Sequence, residues 1–89
     1  MILVSKTQIK LITSLQQKKY RNKLGLFVAE GPKVINELIT AKLQLHSLYS
    51  SVDRLFEGES VQIVSEKELS KITALKNANN SLAVFKIPD

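Results

Sequence analysis

Apolar residues recur along the chain either at helical spacing or in short unbroken runs, and the switches between the two predict the elements. Ser5-Lys6-Thr7-Gln8 reads as a capping box, in which the Ser5 hydroxyl accepts from the Gln8 N–H and the Gln8 side chain reaches back. Val4 before the cap and Ile9 after it fit a hydrophobic staple. Ile9, Ile12 and Leu15 form one stripe of the helix that follows, and Leu11 widens it. Lys6, Lys10, Gln16, Gln17, Lys18 and Lys19 occupy its other faces. The helix is expected to fray near Tyr20–Lys23, and Gly25 ends the connection. Leu26-Phe27-Val28-Ala29 is a continuous apolar run, the pattern of a strand buried on both faces.

Gly31-Pro32 then opens a second helix with proline set for its first turn, and Val34, Ile35, Leu38, Ile39 and Ala41 give it a wide apolar face. A second strand is expected over Leu43–Tyr49, with Leu43, Leu45 and Tyr49 on one face. One helical turn is expected over Ser51–Phe56, a turn at Glu57-Gly58-Glu59, and a third strand over Val61–Val64. Ser65-Glu66-Lys67-Glu68 reads as a second capping box, with Leu69 and Ile72 on the buried side of a helix ending near Leu75. Asn77–Ser81 is a turn cluster, Leu82–Ile87 the last strand, and Pro88 closes it. Helices alternating with strands indicate an α/β sandwich on a largely parallel sheet.

Length and composition narrow the function. At roughly 100–200 residues per domain, the 89 residues form a single domain, 1–89. The chain is 44% hydrophobic and 24% charged, which is globular rather than disordered. It has no cysteine, so disulfides, cysteine zinc sites and thiol nucleophiles are excluded. No apolar run is long enough for a membrane helix, and no secretory signal opens the chain; both point to the cytoplasm and to no membrane partner. Catalytic chemistry has little to work with. His46 is the only histidine, the acids show no metal spacing, and Gly25, Gly31 and Gly58 are too isolated for a phosphate loop.

The net charge is +5, and its placement says more than its size. Residues 1–33 hold seven Lys/Arg and one acid, whereas residues 34–89 hold six Lys/Arg and seven acids. Lys18-Lys19-Tyr20-Arg21-Asn22-Lys23 puts four cations and an aromatic within six residues. Lysines here can neutralise phosphates, Arg21 can bind one with two hydrogen bonds, and Tyr20 can stack on an unpaired base. The same lysines also suit a solvated helix C-terminus, and Tyr20 suits the edge of a core as well as it suits a base. At the start of the second helix, the N–H groups of Gly31, Lys33 and Val34 form an anion site to which Lys33 adds charge. Glu30 opposes a bare phosphate there unless it turns inward or binds a donor.

The string Leu15-x-x-Lys18-Lys19-x-Arg21-x-x-x-Gly25-x-Phe27-Val28-x-Glu30-Gly31-x-Lys33-Val34 resembles the N-terminal signature of bacterial SpoU/TrmH-type RNA 2′-O-ribose methyltransferases. Weaker similarity continues through Val64-Ser65-Glu66, Leu69, Ile72 and Leu82-Ala83-Val84-Phe85-Lys86-x-Pro88. Two departures are visible. Gln8-Ile9 stand near the place of the family's Asn-Pro pair, which changes how the first helix begins, and Asn80 stands where a glycine is usual. Asparagine tolerates positive φ better than most residues, so that turn can survive.

The resemblance implies a three-layer α/β/α sandwich with a mostly parallel or mixed four-stranded sheet, like the small ribosomal kink-turn RNA-binding proteins. It implies an RNA partner, ribosomal or transfer RNA, met by Lys18, Lys19, Tyr20, Arg21, Lys23, Gly31 and Lys33, with Asn36 one turn on. It further implies that catalysis belongs to a separate downstream domain that binds S-adenosylmethionine and dimerises. None of that domain's motifs occurs in these residues, so the chain is expected to be the front piece of a longer enzyme. The contrasting expectation is a small module that docks on a protein, for which Tyr20, Tyr49 and Phe56 would form one exposed patch away from the lysines.

Overall fold

Ser5 caps the first helix as its sequence dictates. In the computed structural model, which describes residues 3–89, the Gln8 N–H donates to Ser5 Oγ at 3.0 Å and the Ser5 N–H donates to Gln8 Oε1 at 2.9 Å. The helix α1 (Lys6–Ser14) buries Ile12 and ends at Leu15. The next residues do not fray. They form a separate helix, α2 (Lys18–Leu24), whose N-cap Gln17 is extended. Gly25 ends α2 at φ +68°, the left-handed conformation that glycine adopts without strain.

The strand β1 (Leu26–Glu30) leads through Gly31 into α3 (Pro32–Thr40). Gly31 sits at φ +95° and ψ 144°, which costs a side-chain-bearing residue about 1–3 kcal/mol. β2 (Leu45–Ser50), β3 (Gln62–Ile63), α4 (Glu66–Ser70) and β4 (Ser81–Lys86) follow. The expected helical turn over Ser51–Phe56 is absent, and Arg54 at φ +60° is incompatible with one. α4 stops short of Leu75 because the chain turns after Ile72, and the Thr73 hydroxyl and Ala74 N–H then donate to the Glu30 carboxylate. Asn80 does not take a positive φ; among the described non-glycine residues only Lys42 and Arg54 do.

The sheet is mixed and four-stranded, in the order β1-β4-β2-β3. β4 runs antiparallel to both β1 and β2, and β2 pairs parallel with β3. Parallel pairing is therefore the minority, against the largely parallel expectation. The strand–helix–strand pattern has the strand directions right: β1, β2 and β3 point the same way. What it misses is the direction of the last strand, expected over Leu82–Ile87: β4 inserts antiparallel between β1 and β2 and makes two antiparallel ladders. A one-residue bulge at His46 shifts the β2 register, since Leu45 pairs with Phe85 and Ser47 with the adjacent Val84. As a result Leu43 and Leu45 pack on one side of the sheet and Tyr49 on the other, so the three do not share a face.

Two cores lie on the two sides of the sheet. Ile12 and Leu15 from α1, Leu69 from α4, and Ile72 cover Tyr49, Leu82 and Val84. Ile35 from α3 and Phe56 from the long loop cover Leu48, Ala83 and Phe85. Across the first ladder Phe27 and Phe85 stack with their ring centres 5.9 Å apart. The layers are thus α1 and α4, the sheet, and α3.

Candidate nucleic-acid interface

The second helix owes its polarity to its sequence: none of its residues is buried. Lys18, Lys19 and Lys23 are exposed on it, and Lys6 and Lys10 are exposed on α1. Among the described residues the one ion pair is Lys71 with Glu68, so these five ammonium groups have no carboxylate partner. Arg21 is spoken for in part. Its Nη1 donates to the Leu15 carbonyl at 2.9 Å, which ties α2 to the C-terminal end of α1. Lys19 Nζ lies 5.0 Å from the centre of the Tyr20 ring. Tyr20 is half-buried and belongs to neither core.

Between α1 and α2 runs a groove of about 580 Å³, lined by Lys10, Leu11, Gln17, Tyr20, Lys23 and Leu24 among others. Tyr20 and Lys23 were legible as candidates in the sequence. Lys10, Gln17 and Leu24 were not, because only the break between the two helices brings them together. A local signal existed in the end of the apolar stripe at Leu15, but no glycine or proline marks the break.

Gly31 and Lys33 lie at the far end of β1, which at ~3.3 Å per residue separates them from α2 by about 15 Å. The Gly31 N–H, expected to be free, donates to the Ser81 carbonyl at 3.0 Å. The N–H groups of Lys33 and Val34 lie in the first turn of α3, where no partner exists within the helix. Glu30 turns its carboxylate onto donors, Ala74 N–H at 3.0 Å and the Thr73 hydroxyl, and so does not face this turn as a bare charge. The Asn79 side chain, from the turn cluster before β4, sits beside Gly31, 3.5 Å from where a Cβ would be. Asn36 is exposed on α3. The seven candidate residues thus fall into two regions at opposite ends of one strand.

The apolar patch that a protein-docking module would show does not form. Tyr49 and Phe56 are buried, on opposite sides of the sheet. Among the described residues no cluster of acids and histidines has the makings of a metal site, and no helix is long and apolar enough to cross a membrane.

Comparison with known structures gives this geometry a family context. A protein assigned to the TrmH family of RNA methyltransferases, from Porphyromonas gingivalis, superposes with a TM-score of 0.84 at 26% identity, covering 98% of this chain and 37% of its own. An AdoMet-bound rRNA methyltransferase from Sinorhizobium meliloti gives a TM-score of 0.75 at 28% identity, covering 97% of this chain and 36% of its own. The SpoU methyltransferase AviRb from Streptomyces viridochromogenes shares the fold, with a TM-score of 0.77 at 12% identity over 96% of this chain and 37% of its own. The chain thus spans a little over a third of each of these proteins. No curated protein sequence matches it. The model of the MRM3-like substrate binding domain, however, matches residues 6–83, and with nearly the whole chain inside that match the protein belongs to this family.

Proposed function

We propose that this domain captures and positions the RNA substrate, ribosomal or transfer RNA, of an S-adenosylmethionine-dependent RNA 2′-O-ribose methyltransferase. The observation that carries the reading is the set of exposed lysines on α1 and α2 with no carboxylate partner among the described residues. Family membership and the methyltransferase structures that share the fold support it. Lys18, Lys19, Arg21 and Lys23 bind phosphates, and Tyr20 meets a base. Gly31 and Lys33 form a second contact across β1, Gly31 by shaping the turn and Lys33 by its charge. Residues 1–89 act as one RNA-binding domain. Methyl transfer and cofactor binding reside in a separate catalytic domain that works as a homodimer in the cytoplasm, and this domain delivers substrate to it.

Phosphate neutralisation releases counterions, so affinity must fall with salt. Filter binding of ribosomal and transfer RNA fragments to the 89-residue chain, over a salt series, is expected to give a log–log slope of about −3 if four phosphates are held. A flat response would defeat the reading.

A further inference from the structure

The groove between α1 and α2 has features that phosphate binding does not require. Its lining is largely apolar, with Leu11 and the half-exposed Leu24 among the residues that form it. Two of the hydroxyls along it commit their protons to the α1 backbone: Thr13 Oγ1 donates to the Ile9 carbonyl at 2.8 Å and Ser14 Oγ to the Leu11 carbonyl at 2.6 Å. Tyr20 lines the same space, with Lys19 Nζ 5.0 Å from the centre of its ring. A duplex approaching this face would offer phosphates and riboses, and the apolar lining would stay wet. Lys10 and Lys23 line the groove, and Lys18 and Lys19 are exposed on the same short helix, so an apolar slot is set in a positive surface. The volume of about 580 Å³ lies within the span of ordinary ligand pockets, roughly 300–1,000 Å³.

We infer that this groove takes an unpaired nucleotide of the RNA, its base against Tyr20 and Leu24 and its flanking phosphates on Lys10 and Lys23. The inference rests on the RNA-binding reading and adds to it the class of strand recognised. A base in an A-form helix has both faces stacked and cannot enter; a loop or bulge base can. Lys19, which lies over the Tyr20 ring, gives up that position to the base and meets the adjoining phosphate. Gln17 makes no side-chain capping bond and lines the groove, so its amide is available to a base edge. An amide carries both donor and acceptor, so it serves several bases, and little sequence preference is expected.

The test compares the 89-residue chain on three RNAs: a single strand, its perfect duplex, and the duplex with one unpaired 2-aminopurine. Preference for the single strand and the bulged duplex is expected, together with a change in 2-aminopurine fluorescence on binding. Stacking is worth about 1–3 kcal/mol per base, so Tyr20→Ala should weaken binding to unpaired RNA roughly 5- to 150-fold and leave duplex binding unchanged, while Tyr20→Phe retains the preference. Leu24→Ser, at an exposed position, repeats the loss without touching a core residue or changing the charge. Equal, salt-dependent binding of all three RNAs, insensitive to both substitutions, would overturn the groove and leave RNA binding intact. Failure of the wild-type chain to bind any of them would overturn both.

Discussion

Glu68 shows how one residue can satisfy a local pattern and still do something else. Ser65 Oγ accepts from the Glu68 N–H at 3.2 Å, which is half of the capping box expected at α4. The other half is missing, because the Glu68 carboxylate is engaged elsewhere than at the Ser65 N–H. It accepts from the Val4 N–H at 2.9 Å and from Lys71 Nζ at 2.6 Å, and so anchors the segment before α1. The Lys71 hydrogen bond, followed by that of Val4, holds its pKa below the ordinary carboxylate value, although burial opposes them. A carboxylate whose pKa falls on folding adds stability above its unfolded value, about 4.3, and loses it as the pH drops through the lower folded value. Glu68→Gln keeps the shape and removes the charge. Its melting temperature should lie below that of the wild type at pH 7, and the gap should close as the pH falls from 5 towards 3. A gap that stays constant across that range would show that the anchor does not depend on ionisation.

At the scale of elements, α2 is a weak helix kept in place by its two ends. It has seven residues, cations in its first turn where the dipole disfavours them, and no side-chain N-cap. Gly25 closes it, and Arg21 ties it to Leu15. The sequence groups Arg21 with the lysines as phosphate ligands, and the structure gives it a bond of its own besides, to the Leu15 carbonyl. Arg21→Ala should cost about 1 kcal/mol in urea unfolding as well as weakening RNA binding. Lys18→Ala and Lys19→Ala should leave stability within about 0.5 kcal/mol and each lower the salt slope by about 1. If all three substitutions behave alike in unfolding, Arg21 has no structural share. The same contrast explains what was legible beforehand. The Ser5 cap, the Ile12–Leu15 stripe and the Gly31-Pro32 helix start depend on residues within one turn of each other, and local pattern finds them. The break after Leu15, the His46 bulge and the groove depend on what packs across them, and no periodicity records that.

The two cores make the whole molecule depend on β4. Alternate residues of this strand feed opposite sides: Leu82 and Val84 join the α1–α4 core, while Ala83 and Phe85 join the α3 core. The strand also lies between β1 and β2, so neither core persists if it leaves the sheet. At about 0.05–0.15 kcal/mol per residue the domain holds about 4–13 kcal/mol in all. Phe85 is fully buried, and Phe85→Ala should remove about 3–5 kcal/mol, a large share of that total. Tyr49, in the opposite core, reports whether the loss crosses the sheet. With Tyr20→Phe as background, Tyr49 is the remaining tyrosine, and there is no tryptophan to mask it. Its fluorescence midpoint in urea should fall as far as the midpoint by circular dichroism when Phe85 is truncated. If Tyr49 kept its wild-type midpoint while the dichroism shifted, the two sides would unfold independently, and the α1–α2 surface would not need the α3 core to hold its shape. Coincident shifts would make α1 and α2 only as stable as the strand that both cores share.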